Sequence, residues 1–297
     1  MTPAERGFLL LTAALGDPDV KPLTRAQFRD LTVLMRNASP PPHNCNLTAH
    51  DLRKLGISAD MADRIVKLFD RGELLDIKLQ QAEKKNCKCL TRISSLYPQS
   101  LRCRLGPEAP GSIWYKGNVN LLTQPAISLV GNRTLNERSE SFAREVGRQA
   151  ALQGFTLISG NARGADQTAQ NACLENGGQI ISVIAEKLEN MPEDPRILWL
   201  SEDSFDLEFS IQRALSRNRI IHALPCLTIV AQCTHQSGGT WKGTVQNLTH
   251  HWCPVYLFSD GSPTASVLNQ LGADFVSTEQ LKNISRLLIR ENTIFDL

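Results

Sequence analysis

The sequence predicts an α/β fold, a doubly wound and mostly parallel sheet preceded by a small all-helical N-terminal domain. Three observations carry this. Short apolar runs recur along the second half of the chain: Ala126–Val130, Phe155–Ile158, Gln179–Ala185, Cys226–Ala231 and Pro254–Phe258. They lack the alternation of a half-wetted strand and read as strands buried on both faces, as parallel sheets require. Helical patterns separate the runs, as crossover connections demand. The first 85 residues carry only helical periodicities. The expected boundaries are therefore a helical domain at 1–85, a connector at 86–122 and the α/β domain at 123–297.

Taken in order, Phe8–Gly16 reads as an amphipathic helix, since Glu5 and the weak positive charge before it argue against a signal segment. Thr24 caps a helix over Arg25–Arg36, and Ser39-Pro40-Pro41-Pro42 ends it in a stiff link. Thr48 and Asp51 have capping-box spacing before a short helix that stops at Gly56. Ser58 starts another, with Met61, Ile65 and Leu68 inward, and Glu73–Lys85 forms one more. Such a set of helices with a Leu-Gly-Ile turn is either a packing module or a helix-hairpin-helix contact to a DNA backbone. Cys89–Arg92 and Ile113–Tyr115 are short strands leading into the sheet. After Ala126–Val130 comes a helix over Glu137–Leu152, ended by Gly154. After Phe155–Ile158 a helix runs to about Glu175. Lys187–Phe205 holds Pro192 and Pro195, has no clear period and reads as a loop over the sheet. Leu207–Leu224 is a helix. Beyond Cys226–Ala231, a helix reaches about His250, and Ala265–Leu271, Asp274–Val276 and Thr278–Arg290 read as helix, strand and helix.

Composition bounds the function. The 297 residues carry a net charge of +2, so nucleic-acid binding would need a local patch. Eight cysteines form no framework, and Cys87-Lys88-Cys89 has the wrong spacing for a zinc knuckle, so all read as reduced thiols of a cytoplasmic protein. No run is long enough to span a membrane.

Three strand ends stand out. Gly131-Asn132-Arg133 follows the first buried strand, Ser159-Gly160-Asn161-Ala162-Arg163-Gly164 the second, and Ser237-Gly238-Gly239-Thr240 with Lys242 the fourth. Parallel strands put their carboxyl ends on one edge, where the following helices begin with free N–H groups and partial positive charge. Glycine admits a phosphate close to the backbone, and arginine adds a bidentate fork. The turns read as one phosphate rim or, more plainly, as tight turns with solvated cations. Arg213, Arg217, Asn218 and Arg219 share one helix and either extend that rim or clamp nearby carboxylates. Asp166 and Asp206 are the nearest acids, Asp166 as a helix cap. His235, His250, His251 and Cys253 read as a surface cluster rather than a metal site. No nucleophile–base pairing and no Gly-Lys-Ser/Thr loop is found, so no catalytic residue, cofactor or metal is assigned.

The order strand–Gly-x-Arg, strand–Ser-Gly-x-Ala-Arg-Gly-x-Asp, helix with Arg217-Asn218-Arg219-Ile220-Ile221, strand, then Ser-Gly-Gly-Thr resembles the DNA-processing protein A (DprA/Smf) family. Tyr97-Pro98 with Leu101, and Trp114-Tyr115-Lys116-Gly117, extend the likeness over about Leu90 to Phe258. The resemblance implies a Rossmann-like domain that binds single-stranded DNA without being an enzyme. It further implies help in loading the RecA recombinase during natural transformation, and a homodimer. The phosphate pocket would be Gly131, Asn132, Arg133 and Ser159–Gly164, ringed by Arg217, Asn218, Arg219, Ser237, Gly238, Gly239 and Lys242. The chain departs from the family pattern at Asn132, where a serine is usual, at Ala165, at Gln170 and at Trp241-Lys242; no C-terminal winged helix is expected after Phe258. Two other functions fit the same turns. One is a sensor of a small nucleotide-derived ligand. The other is a phosphoribohydrolase of the LOG type, which would need an acid where Gln246 or Asn247 stands.

Overall fold

The computed structural model describes residues 1–16, 20–38, 47–202 and 204–289. Its strands are β1 (Cys87–Thr91), β2 (Ser112–Gly117), β3 (Ala126–Val130), β4 (Thr156–Ser159), β5 (Ile180–Ile184), β6 (Ile197–Glu202), β7 (Leu227–Val230), β8 (Val255–Phe258) and β9 (Asp274–Val276). They form one sheet in the order β1-β2-β6-β5-β4-β3-β7-β8-β9. From β6 to β9 every pairing is parallel, whereas β2 runs antiparallel to β1 and to β6. The chain builds outward from β3 to β6, then crosses back to lay β7 on the other side of β3. Ile127 pairs with Leu157 on one side and Leu227 on the other. Strand order reverses there, and at such a switch point the loops after neighbouring strands diverge and open a crevice.

Both faces of the sheet are covered, which is why its strands read as largely apolar runs, broken by small hydroxyl residues such as Ser128, Ser182 and Thr228. On one face Ile127 and Leu129 pack with Phe142 and Val146 of the helix Glu137–Leu152. On the other, Ala126 and Val130 pack with Ile220, Ile221 and Trp252.

Several expected elements differ. The stretch read as a loop over Lys187–Phe205 contains β6, buried at all six positions. Flanking prolines masked it in the sequence; here Pro192 leaves its carbonyl to accept from Trp199 Nε1 at 2.8 Å. Residues 86–122, read as a connector, supply β1 and β2 of the main sheet. The single helix Leu207–Leu224 is two short ones, Ile211–Ser216 and Asn218–Ala223, interrupted at Arg217. In place of a helix over Thr278–Arg290 there is a 3-10 turn, Gln280–Asn283, and one turn of helix, Ile284–Leu287. Arg290, like the Ser39–Pro42 link, lies outside the described residues.

The N-terminal helices span Pro3–Thr12, Arg25–Asn37, Ala49–Lys54, Ala59–Phe69 and Gly72–Lys84. Thr24 and Thr48 each close a capping box, with Gln27 and Asp51. This region is fastened to the sheet by Leu79, which packs on the sheet core, and by Lys78 Nζ 2.6 Å from Asp206.

Candidate nucleic-acid interface

The three glycine turns meet at the switch point, and the first holds the other two. Asn132 O accepts from Ala165 N at 3.1 Å, which ties the first turn to the second. Gly164 lies across that junction with φ +87°, and a Cβ there would stand 2.5 Å from Asn132 O. Only glycine meets both conditions. On the other side Thr240 Oγ1 donates to Gly131 O at 2.8 Å, and Asn132 Nδ2 donates to Thr234 Oγ1 at 3.0 Å.

The second turn is already satisfied from within. Asp166 Oδ2 accepts from Gly160 N at 3.0 Å and from Ala162 N at 3.3 Å, and Ser159 Oγ accepts from buried Gln170 Nε2 at 2.6 Å. Asp166 therefore ties down the preceding turn rather than capping its own helix. Ser159, Gly160 and Ala162, expected to cradle a phosphate, have these groups engaged, which corrects that expectation. Behind the turn lies Arg217, 8% exposed, with Nη2 donating to Gly160 O at 2.9 Å. The guanidinium occupies the place of a side chain at residue 160: a Cβ there would stand 1.6 Å from Nη1. Burial pushes the Asp166 carboxyl up, opposed by Arg217 and the two amides. Burial likewise pushes Arg217 down, opposed chiefly by Asp166. Arg217 Nε is buried without a hydrogen-bond partner among the described residues.

The third turn is open. Ser237 begins the helix Gly238–His250 without a side-chain cap, so the first N–H groups of this 13-residue helix face outward with their partial positive charge. Asn218 Nδ2 donates to Gly239 O at 3.1 Å and fixes the helix start against the helix Asn218–Ala223.

Between these elements runs a cleft of about 460 Å³. Its walls include Arg133, Arg217, Asn218, Gly238 and Lys242, with Phe209, Ile211 and Leu215 on an apolar side. Arg133 and Lys242 are exposed, and neither has a hydrogen bond or ion pair with a described residue. Arg163 is also exposed and unpaired among the described residues, but it stands off the cleft wall, as does Asn161, whose φ of +57° turns the chain there.

Arg219 corrects another expectation. It is turned away from the cleft, paired with Glu202 and bonded to Ser216 O at 2.7 Å. Successive helical residues are rotated by about 100°, so positions 217 and 219 cannot share a face. Arg213 closes the preceding loop by donating to Leu207 O and Glu208 O at 2.9 and 2.7 Å. Asp206 is held by Lys78 and does not line the cleft. Sequence reasoning named Thr240 only as part of its turn and gave no role to the apolar wall or to His222, which lines the floor. The spacing of His222, four residues after Asn218, is the signal that could have found it. Among the described residues no group of three His, Cys, Asp or Glu side chains could hold a metal ion, and no helix is long and apolar enough to cross a membrane.

Comparison with known proteins adds a family likeness over most of the chain. The sequence profile of the family described as DNA recombination-mediator protein A matches residues 88–280. DNA processing protein DprA of Streptococcus pneumoniae is 35% identical, covering 44% of this chain and 50% of its own length. Protein Smf of Escherichia coli is 26% identical, over 63% and 52%. The chain thus spans about half the length of the curated relatives it matches. Among solved structures, DNA processing protein A from Streptococcus pneumoniae superposes with a TM-score of 0.73 at 22% identity, covering 96% of this chain and 98% of that one. DNA processing protein A from Helicobacter pylori, described for its single-stranded DNA binding mode, gives 0.57 at 20% identity, over 69% and 97%. These two likenesses establish the fold.

Proposed function

The chain belongs to the DNA recombination-mediator protein A family, and we propose that its switch-point cleft binds the phosphate backbone of single-stranded DNA. One observation carries the reading. Two exposed cations without a partner among the described residues, Arg133 and Lys242, line the same cleft as an uncapped helix N-terminus. Phosphates are attracted to both features, and the cations displace the strand's condensed counterions when they neutralise its phosphates. Asp166, the carboxylate in the cleft wall, is engaged by two amides and faces Arg217, so its repulsion of a phosphate is blunted.

The test is fluorescence anisotropy with labelled oligo-dT across a salt series. Each backbone phosphate contact contributes about 0.7 to the log–log slope for a single strand. Arg133→Ala and Lys242→Ala should each flatten the slope by about that amount. Unchanged slopes in both variants would sink the proposal. A second reading, a small nucleotide as ligand, is favoured by the cleft volume, since about 460 Å³ is within the small-molecule range. Thermal shift with mononucleotides against oligo-dT separates the two. Assistance to a RecA-type recombinase and a homodimeric state are finer parts of the same proposal, checked by strand-exchange assays and light scattering.

A further inference from the structure

His222 sits at the floor of the cleft, 1% exposed, and phosphate binding makes no use of it. Its tautomer follows from its neighbours. The backbone N–H of Cys253 can only donate, and it lies 3.0 Å from Asn247 Oδ1. That fixes the amide, so Asn247 Nδ2 faces Cys253 Sγ at 3.4 Å and His222 Nδ1 at 3.3 Å. Nδ2 carries two hydrogens, so Nδ1 must accept, and the proton of the neutral ring sits on Nε2. Burial, reinforced by the Arg217 charge, pushes the imidazole down to about 3, so the ring is neutral near pH 7.

The Nε2–H has no hydrogen-bond partner among the described residues. It lies against Gly243, where a Cβ would stand 2.8 Å from Nε2. A side chain at position 243 would press on the ring edge, so the glycine is what lets the imidazole lie there. The protein leaves this donor unused, and His222 lines the cleft, so an acceptor on a ligand can meet it there. The acceptor's character follows from the setting. Positive charge stands at the exposed Arg133 and Lys242, where phosphates are matched. The floor offers a neutral donor, with Phe209, Ile211 and Leu215 lining an apolar side of the same cleft.

Resting on the single-strand reading, we propose that His222 Nε2–H donates to a carbonyl oxygen of one nucleobase seated on the floor of the cleft.

Two substitutions separate this from a structural role. In His222→Gln the side-chain amide can place an N–H near the position of Nε2 but gives up the acceptor for Asn247. In His222→Asn the reverse holds. Ligand donation predicts that Gln keeps affinity for oligo-dT within about twofold while Asn loses about tenfold. A purely structural role predicts the opposite order, and that order would overturn the proposal. Thermal unfolding of each variant checks that it folds. Should His222→Asn not fold, nitrogen-15 NMR of the wild-type imidazole keeps the idea exposed. An Nε2–H tautomer whose resonance moves on adding oligo-dT is expected, and an Nδ1–H tautomer or an unmoved resonance overturns it. With an abasic strand the Asn penalty should vanish; if it persists, the nucleobase assignment fails. A wild-type chain that does not bind oligo-dT defeats the strand reading and this inference together. Binding by the wild type with His222→Asn unaffected defeats this inference alone.

Discussion

Gly160→Ala is the sharpest test of how the cleft is built. The residue has ordinary backbone angles, so alanine carries no conformational penalty. The added methyl would meet the Arg217 guanidinium: the three nearest atoms are Nη1 at 1.6 Å, and Cζ and Nη2 at 2.2 Å. A guanidinium is the far end of a flexible side chain and can swing away. In doing so it gives up its 2.9 Å bond to Gly160 O and withdraws the positive charge that most favours ionised Asp166. A hydrogen bond to a charged group is worth about 1.5–3 kcal/mol, and hydration of the expelled guanidinium returns part of this, so we expect a net loss of about 2 kcal/mol. In an Arg217→Ala background the same methyl enters empty space, and Gly160→Ala should then change stability by no more than ~0.5 kcal/mol. The coupling energy of the cycle is therefore about 2 kcal/mol. Urea unfolding of the four proteins, followed by circular dichroism, measures it. Additivity within ~0.5 kcal/mol would refute the claim that the glycine exists to seat the arginine.

Further outcomes follow from the same geometry. Arg219→Ala should leave the salt slope for oligo-dT unchanged, because that side chain is committed to Glu202, and it should lower stability by only about 1 kcal/mol, because Glu202 keeps Arg25 and Ser216 as partners. Chemical unfolding should show acid sensitivity traceable to His222. Its folded pKa, pushed down to about 3, lies below the unfolded value, so the unfolded chain binds the proton first as pH falls. Its contribution is complete above about pH 6.5 and declines by about 1.4 kcal/mol per pH unit below that. His222→Gln should remove this slope, and an unaltered acid limb would show that His222 is not its source.

Much of the sheet was legible because both of its faces are covered. Ile127 and Leu129 point to one helical layer, Ala126 and Val130 to the other, so the strand is apolar except at Ser128, whose hydroxyl donates to Thr228 Oγ1 at 2.9 Å. β6 has the same character in Ile197–Leu200, but Pro192 and Pro195 upstream suggested a loop. What decides its place is pairing with β5 and with the antiparallel β2, a long-range fact that local periodicity does not carry. The turns were legible too, because their glycines are demanded by close approach of backbone to backbone. The fate of each polar group was not. Whether the amides of Ser159–Gly164 await a ligand or already hold Asp166 depends on the path set by Asn161 and Gly164 at positive φ.

The arginines sort by rotation about the helix rather than by charge. Arg217 points under the second turn and Arg219 toward Glu202, so a run that reads as Arg-Asn-Arg divides between two sides of one helix. The buried member still serves the cleft. Its charge faces Asp166 behind the turn, in a setting where water screens little. Asp166 can then spend its Oδ2 on the turn amides without presenting an uncompensated negative charge to an incoming phosphate. Remove Arg217 and the acid becomes a repulsive element in the wall. Rim cations and buried cation thus act on the ligand through different physics. The first is felt in the salt slope and the second chiefly in affinity at fixed salt, so the two contributions can be measured separately on one protein.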